Sequence, residues 1–212
     1  MAQEEQTYNM SFTAGALMVN ETHAVAEAFL ECDHDWKLTR EKVFRENIMA
    51  KEKQKSSERY LSLMKQRIET LNEMELRVLI DGNMMEKRQI ILLAICKAHP
   101  FIFDFIREAV GECFYGMQQR ITQATFNGFF NEKKYTHPEL ETITDNTIYK
   151  MKQVTFHILE QAELIESAET GEIRRPYLSE KMERLIVQDN PAWLAAFLYS
   201  NNEISNLAEL YG

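Results

Sequence analysis

The run IILLAIC, at residues 90–96, restricts the fold of this chain more than any other feature of its sequence. The run contains no charged side chain and is cut off by Lys97, His99 and Pro100. A membrane-spanning helix needs about 20 apolar residues, so this run is too short to cross a bilayer. It predicts instead a helix buried in the core of the protein.

The composition favours a mainly α-helical protein. Glycine (7) and proline (4) are scarce among the 212 residues, whereas good helix formers such as Glu, Lys, Met, Gln and Leu are abundant. The 3 cysteines are widely spaced, which indicates reduced thiols. The polar N-terminus contains no hydrophobic signal segment. We therefore expect a cytoplasmic protein without a membrane partner.

Helical spacing and its interruptions predict how the chain is organised. We expect a helical bundle with helix-turn-helix elements, the C-terminal one winged by a small β-hairpin. The predicted units are a flexible tail over 1–10, an N-terminal helical domain over 11–116 with a basic segment resembling a helix-turn-helix, and a C-terminal winged-helix-like domain with terminal helices over 117–212.

Charge is distributed unevenly along the chain. The net charge is −9, yet the segment from Lys37 to Arg67 contains ten basic residues against four glutamates, a net charge of +6, so the remainder carries −15. Such a local excess of cations indicates a surface that binds a polyanion, despite the acidic total.

Within that segment, helices predicted over 39–48, with Thr39 as its N-cap, and over 57–71 resemble a helix-turn-helix with a basic connector. The candidate DNA contacts here are Arg40, Lys51, Lys53, Lys55, Arg59 and Arg67. The alternative interpretation is an exposed helix whose lysines pair with Glu52 and Glu58, each pair contributing about 0.2–0.5 kcal/mol. The sequence favours neither interpretation over the other.

A second amphipathic helix is predicted over about 145–162, with Thr144 as its N-cap. On a helical wheel, the apolar arc contains Ile148, Met151, Val154, Thr155, Ile158, Leu159 and Ala162. The opposite arc contains Asn146, Tyr149, Lys150, Gln153, His157 and Gln161, with Lys152 at its flank. Asn146, Tyr149, Lys150, Lys152 and Gln153 are therefore candidate contacts to base edges or phosphates.

The stretch 163–178 interrupts the helical pattern. Two short strand-like runs flank Gly171, which can take the positive φ of a tight turn, and Pro176 ends the pairing. A helix followed by a hairpin that carries Arg174 and Arg175 is typical of a winged helix-turn-helix, in which the wing contacts the DNA. The alternatives are a protein-docking module or a solvated basic hairpin.

No catalytic constellation is present in the sequence. The glycines form neither G-x-x-x-x-G-K nor G-x-G-x-x-G, and no G-x-S-x-G occurs. The segment ECDHD (31–35) gathers metal-ligating residue types, but such a cluster is more often a polar helix terminus than a metal site. We expect no enzyme activity, catalytic residue, metal, cofactor or small-molecule substrate.

Three stretches of the sequence resemble the BrxA family of bacteriophage-exclusion (BREX) defence systems. They are SFTAGALMVNETHAVAEAFL, WKLTREKVFRENIMAKEKQKSSERYLSLMKQRIETL and HPELETITDNTIYKMKQVTFHILEQAELI, the last together with the predicted wing that follows it. The resemblance extends from about Ser11 to Phe197. It implies a small, non-enzymatic, largely helical protein that binds double-stranded DNA. It also implies the methyltransferase, ATPase and phosphatase-like subunits of the system as neighbours.

Two functions follow as hypotheses. The first is a DNA-binding accessory protein that contacts mainly phosphates, with little sequence preference. The second is a protein-interaction adaptor that assembles the defence complex, for which the acidic remainder and the Met- and Phe-rich composition argue. RNA binding is a weaker third alternative.

Overall fold

The computed structural model describes residues 7–49, 54–116 and 118–212, with only the backbone described at 54–56. The chain is mainly helical, as predicted. The α-helices are α1 (Val19–Glu31), α2 (Trp36–Arg45), α3 (Gln54–Ile68), α4 (Glu73–Asp81), α5 (Met84–Ala98), α6 (Pro100–Asp104), α7 (Gly111–Tyr115), α8 (Gln123–Lys133), α9 (Asp145–Gln161), α10 (Glu180–Asp189) and α11 (Asn201–Tyr211). Short 3-10 turns span Met10–Ala14, Pro138–Thr142 and Pro191–Phe197, and a π-helical turn, Phe105–Val110, joins α6 to α7.

Side-chain caps set where α2 and α9 begin. The Thr144 hydroxyl accepts a hydrogen bond from the backbone N–H of Thr147, so Thr144 caps α9 as predicted. At α2 the cap is Asp35, whose carboxylate accepts from two N–H groups of the first turn. The prediction of Thr39 as that cap was wrong because a carboxylate four residues earlier already satisfies the free N–H groups. Asp35 thus serves a helix terminus.

The helix α5 lies at the centre of the core. Every residue from Ile90 to Cys96 is buried, which confirms the predicted core helix. The neighbours of α5 are α1, α3, α4, α6 and the 3-10 turn Pro191–Phe197. A helix that is apolar on all sides needs such enclosure because any exposed side would leave hydrocarbon in water.

A sharp bend separates α5 from the helical stretch that follows it. The two segments, Met84–Ala98 and Pro100–Tyr115, meet at an angle of 111°. Within the described ranges, no single helix has both the length and the apolarity to cross a bilayer; these two segments meet that test only when they are taken together.

The chain segment before α1 is packed, not loose. Tyr8 is only 5% exposed. Its hydroxyl donates to Asp104 at 2.8 Å, and its backbone N–H donates to the Glu139 carboxylate at 2.7 Å. The prediction of a flexible tail is therefore corrected for residues 7–10, which are held by a buried ring and long-range hydrogen bonds. Residues 1–6 lie outside the described part.

Buried contacts cross the domain boundary that the sequence suggests between 116 and 117. Phe101 in α6 packs against Phe126 and Phe129 in α8, with ring centroids 5.9 and 5.4 Å apart. One cluster of buried hydrophobic residues contains side chains from both halves. These contacts between phenylalanine rings hold α8 against α6. The division into two domains stays a prediction.

The predicted β-hairpin over 163–178 is not formed. In the part of the chain that the structure describes, pairing is limited to two isolated antiparallel bridges, Ile165 with Ile173 and Arg120 with Glu172. Each bridge is a single residue pair, too short to count as a strand. The physical reason is that the middle of this segment also bonds to the chain before α8: the Ile173 N–H donates to the Gln119 carbonyl and the Ile121 N–H to the Gly171 carbonyl. A two-stranded ladder alone is marginal in water even when complete.

The turn within this segment does require glycine. Gly171 has φ 64°, and a Cβ there would lie 2.0 Å from the backbone oxygen of Ile121. Both the left-handed conformation and the close approach exclude a larger residue. Pro176, which has no N–H, follows shortly after and cannot donate a further backbone hydrogen bond.

An ion cluster that is largely buried joins α4, α5 and α10. The Lys97 Nζ lies 2.7 Å from both carboxylate oxygens of Glu75 and 2.8 Å from Asp189 Oδ2. The Glu75 side chain is wholly buried and that of Lys97 is 8% exposed. Such a pair makes a small net contribution, but the loss of one partner strands a buried charge.

We predict that Lys97→Met lowers the free energy of unfolding by about 3–5 kcal/mol, because the wholly buried Glu75 carboxylate would lose the cation beside it. Urea denaturation followed by circular dichroism measures this change. The control is Arg184→Met, which breaks an exposed pair with Glu180 and should cost at most about 1 kcal/mol. Adding Glu75→Gln to Lys97→Met should restore part of the loss; a single variant as stable as the wild type would contradict the prediction.

Candidate nucleic-acid interface

The outward face of α9 is exposed, in agreement with the helical wheel. Asn146, Tyr149, Lys150 and Gln153 are exposed, and Tyr149 reaches 59% exposure. The inner face packs into the core; its buried residues are Met151, Val154, Thr155, Phe156, Ile158 and Leu159. The predicted site residues on α9 are thus brought to one surface by the helical period.

The back of α9 rests on the segment that precedes α1. The 3-10 turn Met10–Ala14 packs against α9. Just beyond it, the backbone N–H of Leu17 donates to Gln161 Oε1 at 2.9 Å, at the end of the helix. These contacts fix the direction in which the outward face points.

Lys152 connects α9 to α8. Its Nζ donates to Asn127 Oδ1 at 3.4 Å, a long hydrogen bond, and the side chain is half-buried. Within the described ranges, neither Lys152 nor Lys150 forms an ion pair with a carboxylate. Their positive charges are therefore available to an external anion.

The two arginines of the predicted wing are paired within the protein. Arg174 forms an exposed ion pair with Glu166. Arg175 forms one with Glu203 at 2.7 Å, and its guanidinium carbon lies 4.0 Å from the ring centroid of Tyr199. With no hairpin to present them and a carboxylate beside each, their charges are largely offset.

The N-terminal basic segment is also partly neutralised. Arg40 pairs with Glu58, and Arg59 is exposed. Lys51, Lys53 and the Lys55 side chain lie outside the described residues. Further ion pairs in this segment join Lys42 to Glu31, Arg45 to Glu46 and Lys65 to Glu69. The contacts predicted here stay predictions, apart from the one at Arg67.

The prediction that Arg67 contacts DNA was wrong. Its side chain is wholly buried and cannot reach a ligand. Its Nη atoms donate to the backbone carbonyls of Gly15 at 2.9 Å, Ala16 at 2.7 Å and Leu17 at 3.3 Å. Burial lowers the pKa of Arg67 to about 9, so the guanidinium stays charged at neutral pH. The charge holds the chain segment before α1 and cannot reach a phosphate.

Sequence reasoning missed Arg120 and Asn127. Arg120 is exposed just before α8 and has no carboxylate partner in the described portion of the chain; Asn127 is exposed on α8 beside Lys152. Arg120 lies in an isolated bridge with Glu172 before α8 begins, so helical spacing gives no signal that relates it to Asn127. The bond between Asn127 and Lys152 depends on tertiary packing and has no such signal.

In the described residues, no group of three or more His, Cys, Asp or Glu side chains is placed to hold a metal ion. In the segment ECDHD, Asp33 and His34 adopt positive φ and Asp35 caps α2. The geometry of this segment is that of a connection between two helices.

These features define a class: a mainly helical protein with an exposed polar helix, which packs on the core and carries two lysines that form no ion pair within the described residues. The model of the BrxA family matches residues 6–190, and the chain belongs to this family.

Curated relatives agree with this assignment. The chain is 23% identical to the BREX protein BrxA of Escherichia coli O9:H4 (strain HS), over 84% of this chain and 83% of the relative. It is 27% identical to the BREX protein BrxA of Bacillus cereus (strain H3081.97), over 83% and 88% of the two chains. A crystal structure of an uncharacterized protein from Magnetospirillum magneticum has the same fold, with a TM-score of 0.81, 19% identity, and coverage of 91% and 98%.

The buried charge of Arg67 leads to a pH prediction for His99, which is wholly buried. Burial, with the Arg67 charge adding to it, lowers the pKa of His99 to about 3. In the unfolded chain His99 takes up a proton at about pH 6.5, whereas in the folded chain it stays neutral until the pH approaches 3. The free energy of unfolding should therefore fall as the pH drops from about 6.5 toward 3, by up to about 1.4 kcal/mol per pH unit.

Urea denaturation between pH 5 and 7.5 measures this slope in the wild type and in His99→Leu. The variant should show a smaller slope, because it lacks the titrating group. His157→Gln, which removes an exposed imidazole, is the matched control. Equal slopes in the wild type and His99→Leu would refute the assignment.

Proposed function

We propose that this chain is a cytoplasmic accessory protein of a BREX phage-defence system and that it binds double-stranded DNA without catalysing a reaction. Membership of the BrxA family and the BREX names of its relatives support the defence role. In the proposed complex α8 and α9 act as a helix-turn-helix pair, and α9 enters the major groove. Phosphate contacts provide most of the affinity, which therefore depends little on base sequence.

The observation that carries this proposal is the exposed face of α9, where Lys150 and Lys152 form no ion pair within the described residues. Arg174 and Arg175, in contrast, are paired with carboxylates. This difference favours α9 as the main contact with DNA. A cation that is not paired with a carboxylate gains the full attraction of a phosphate, whereas a paired cation must first give up its carboxylate.

The acidic total charge sets how strong and how salt-sensitive this binding is. The net charge of −9 repels DNA at long range. At physiological salt the Debye length is about 8 Å, so the cations nearest to the phosphates decide the interaction. Modest affinity that falls steeply with salt is the expected result.

We predict that Lys150→Glu combined with Lys152→Glu lowers the affinity for a duplex at least about ten-fold at low salt, because two attractive interactions with phosphates become repulsive. The salt slope of log K should also decrease by about two, because each neutralised phosphate adds about 0.9 to it. Fluorescence anisotropy with a labelled duplex across a salt series measures both quantities. Circular dichroism checks that the variant keeps its helical content.

The matched control is Lys181→Glu combined with Arg184→Glu, which changes the net charge equally on α10, where both cations are already paired. The control should lose far less affinity than the α9 variant. Equal losses would mean that total charge, and not α9, governs binding. An unlabelled RNA duplex as competitor separates DNA binding from RNA binding, and a wild type that binds no duplex at low salt would end the proposal.

The second candidate is a protein-interaction adaptor that contacts other BREX subunits, such as the methyltransferase or the ATPase. It is favoured by the neutralised arginines and by exposed methionines at the starts of α4 and α5. Met74, Met84 and Met85 are 57%, 51% and 49% exposed. Flexible, polarisable methionines are frequent on surfaces that bind proteins.

Co-purification of tagged protein with the other subunits after nuclease treatment tests this candidate. If the chain is an adaptor, the complex should survive the nuclease. Met84→Glu combined with Met85→Glu should then reduce recovery of the partners several-fold, while Lys150→Glu with Lys152→Glu should leave it intact. Loss of every partner upon nuclease treatment would exclude the adaptor role and leave shared DNA as the link.

A further inference from the structure

Two neighbouring side chains on the outward face of α9 are joined by a hydrogen bond. The Gln153 Nε2 donates to the Tyr149 hydroxyl oxygen at 3.0 Å, one helical turn away. Gln153 is exposed and Tyr149 is 59% exposed, so both point away from the core. Neither side chain makes another hydrogen bond within the described ranges.

This bond leaves a defined set of atoms on Gln153 free. The amide nitrogen has two hydrogens, and one of them is used by Tyr149. When Tyr149 takes the hydrogen anti to the carbonyl oxygen, the syn hydrogen and Oε1 stay available, side by side in the plane of the amide. A donor and an acceptor in that arrangement match the N7 and N6–H₂ groups of adenine in the major groove.

We infer that Gln153 reads an adenine in the major groove, with Nε2–H donating to N7 and Oε1 accepting from N6–H, and that Tyr149 is its positioning residue. This inference rests on the proposed DNA-binding function and adds one base preference to contacts that otherwise read phosphates. The other bases do not fit: guanine presents two acceptors, and the pyrimidine edges offer no such donor–acceptor pair.

The surroundings of Gln153 favour a side chain that is held in place before it contacts a base. Met151 and Val154, its neighbours along the helix, are buried, so the backbone at this position is held by the core. A long side chain such as glutamine loses rotamer freedom when it binds, and the bond to Tyr149 removes part of that cost in advance. Lys150, three residues earlier, lies on the same face and is suited to the flanking phosphates.

Selection of bound duplexes from a randomised pool, with the full chain, tests the inference. The wild type should enrich adenine at one position, and Gln153→Ala should lose that enrichment. Gln188→Ala, which removes an exposed glutamine from α10, is the matched control and should keep it. In the selected duplex, exchange of this adenine for guanine should lower wild-type affinity roughly 5- to 100-fold.

A duplex with 7-deazaadenine at that position tests the atoms, because this base lacks only the N7 acceptor. It should weaken the wild type about five-fold and Gln153→Ala hardly at all. Tyr149→Phe should reduce the adenine preference about two- to five-fold. An unchanged preference in that variant would overturn the positioning role of Tyr149.

The outcomes separate the inference from the proposed function. A wild type that binds no duplex at low salt overturns both. Binding that is weakened by Lys150→Glu with Lys152→Glu but shows no adenine preference overturns the inference alone. A preference that survives Gln153→Ala does the same.

Discussion

The buried charge of Arg67 determines how the proposed DNA-contacting helix is supported. Its guanidinium binds three successive backbone carbonyls, from Gly15 to Leu17, immediately after the 3-10 turn that packs against α9. Burying a charge costs several kcal/mol unless hydrogen bonds replace its hydration, so these carbonyls cannot move far without exposing it or stranding it. The outward face of α9 is therefore oriented by a residue from the opposite half of the sequence, which is itself inaccessible to DNA.

The sequence predicts those elements whose burial follows from local periodicity. The run 90–96 is apolar throughout and is buried throughout, and the wheel of α9 separates its buried from its exposed side chains. The N-cap Thr144 was found because capping depends on residues within one helical turn. Gly171 was predicted as a turn because its positive φ is a local property. In each case the physical cause lies within a few residues, so the amino-acid order contains it.

The features that the sequence did not predict depend on tertiary packing. Arg175 is paired with Glu203, 28 residues away, and Arg40 with Glu58, 18 residues away. A helical wheel places Arg67 among its neighbours on α3 but does not show that carbonyls from residues 15–17 surround it. The hairpin fails for a similar reason: its inner segment bonds to Arg120, outside the predicted hairpin, as well as to the other arm. Local propensity cannot distinguish between these competing partners.

An anionic protein can bind an anionic polymer only where its own carboxylates do not already use the cations. An exposed ion pair is worth about 0–1 kcal/mol, so DNA could displace the carboxylate from Arg174 or Arg175 at little cost. The displaced Glu166 or Glu203 would then stand within a few ångströms of a phosphate, and its repulsion would cancel much of the new attraction. Lys150 and Lys152 carry no such penalty from a paired carboxylate within the described residues. In the proposed complex, each lysine of α9 therefore adds more to the attraction for DNA than Arg174 or Arg175 does.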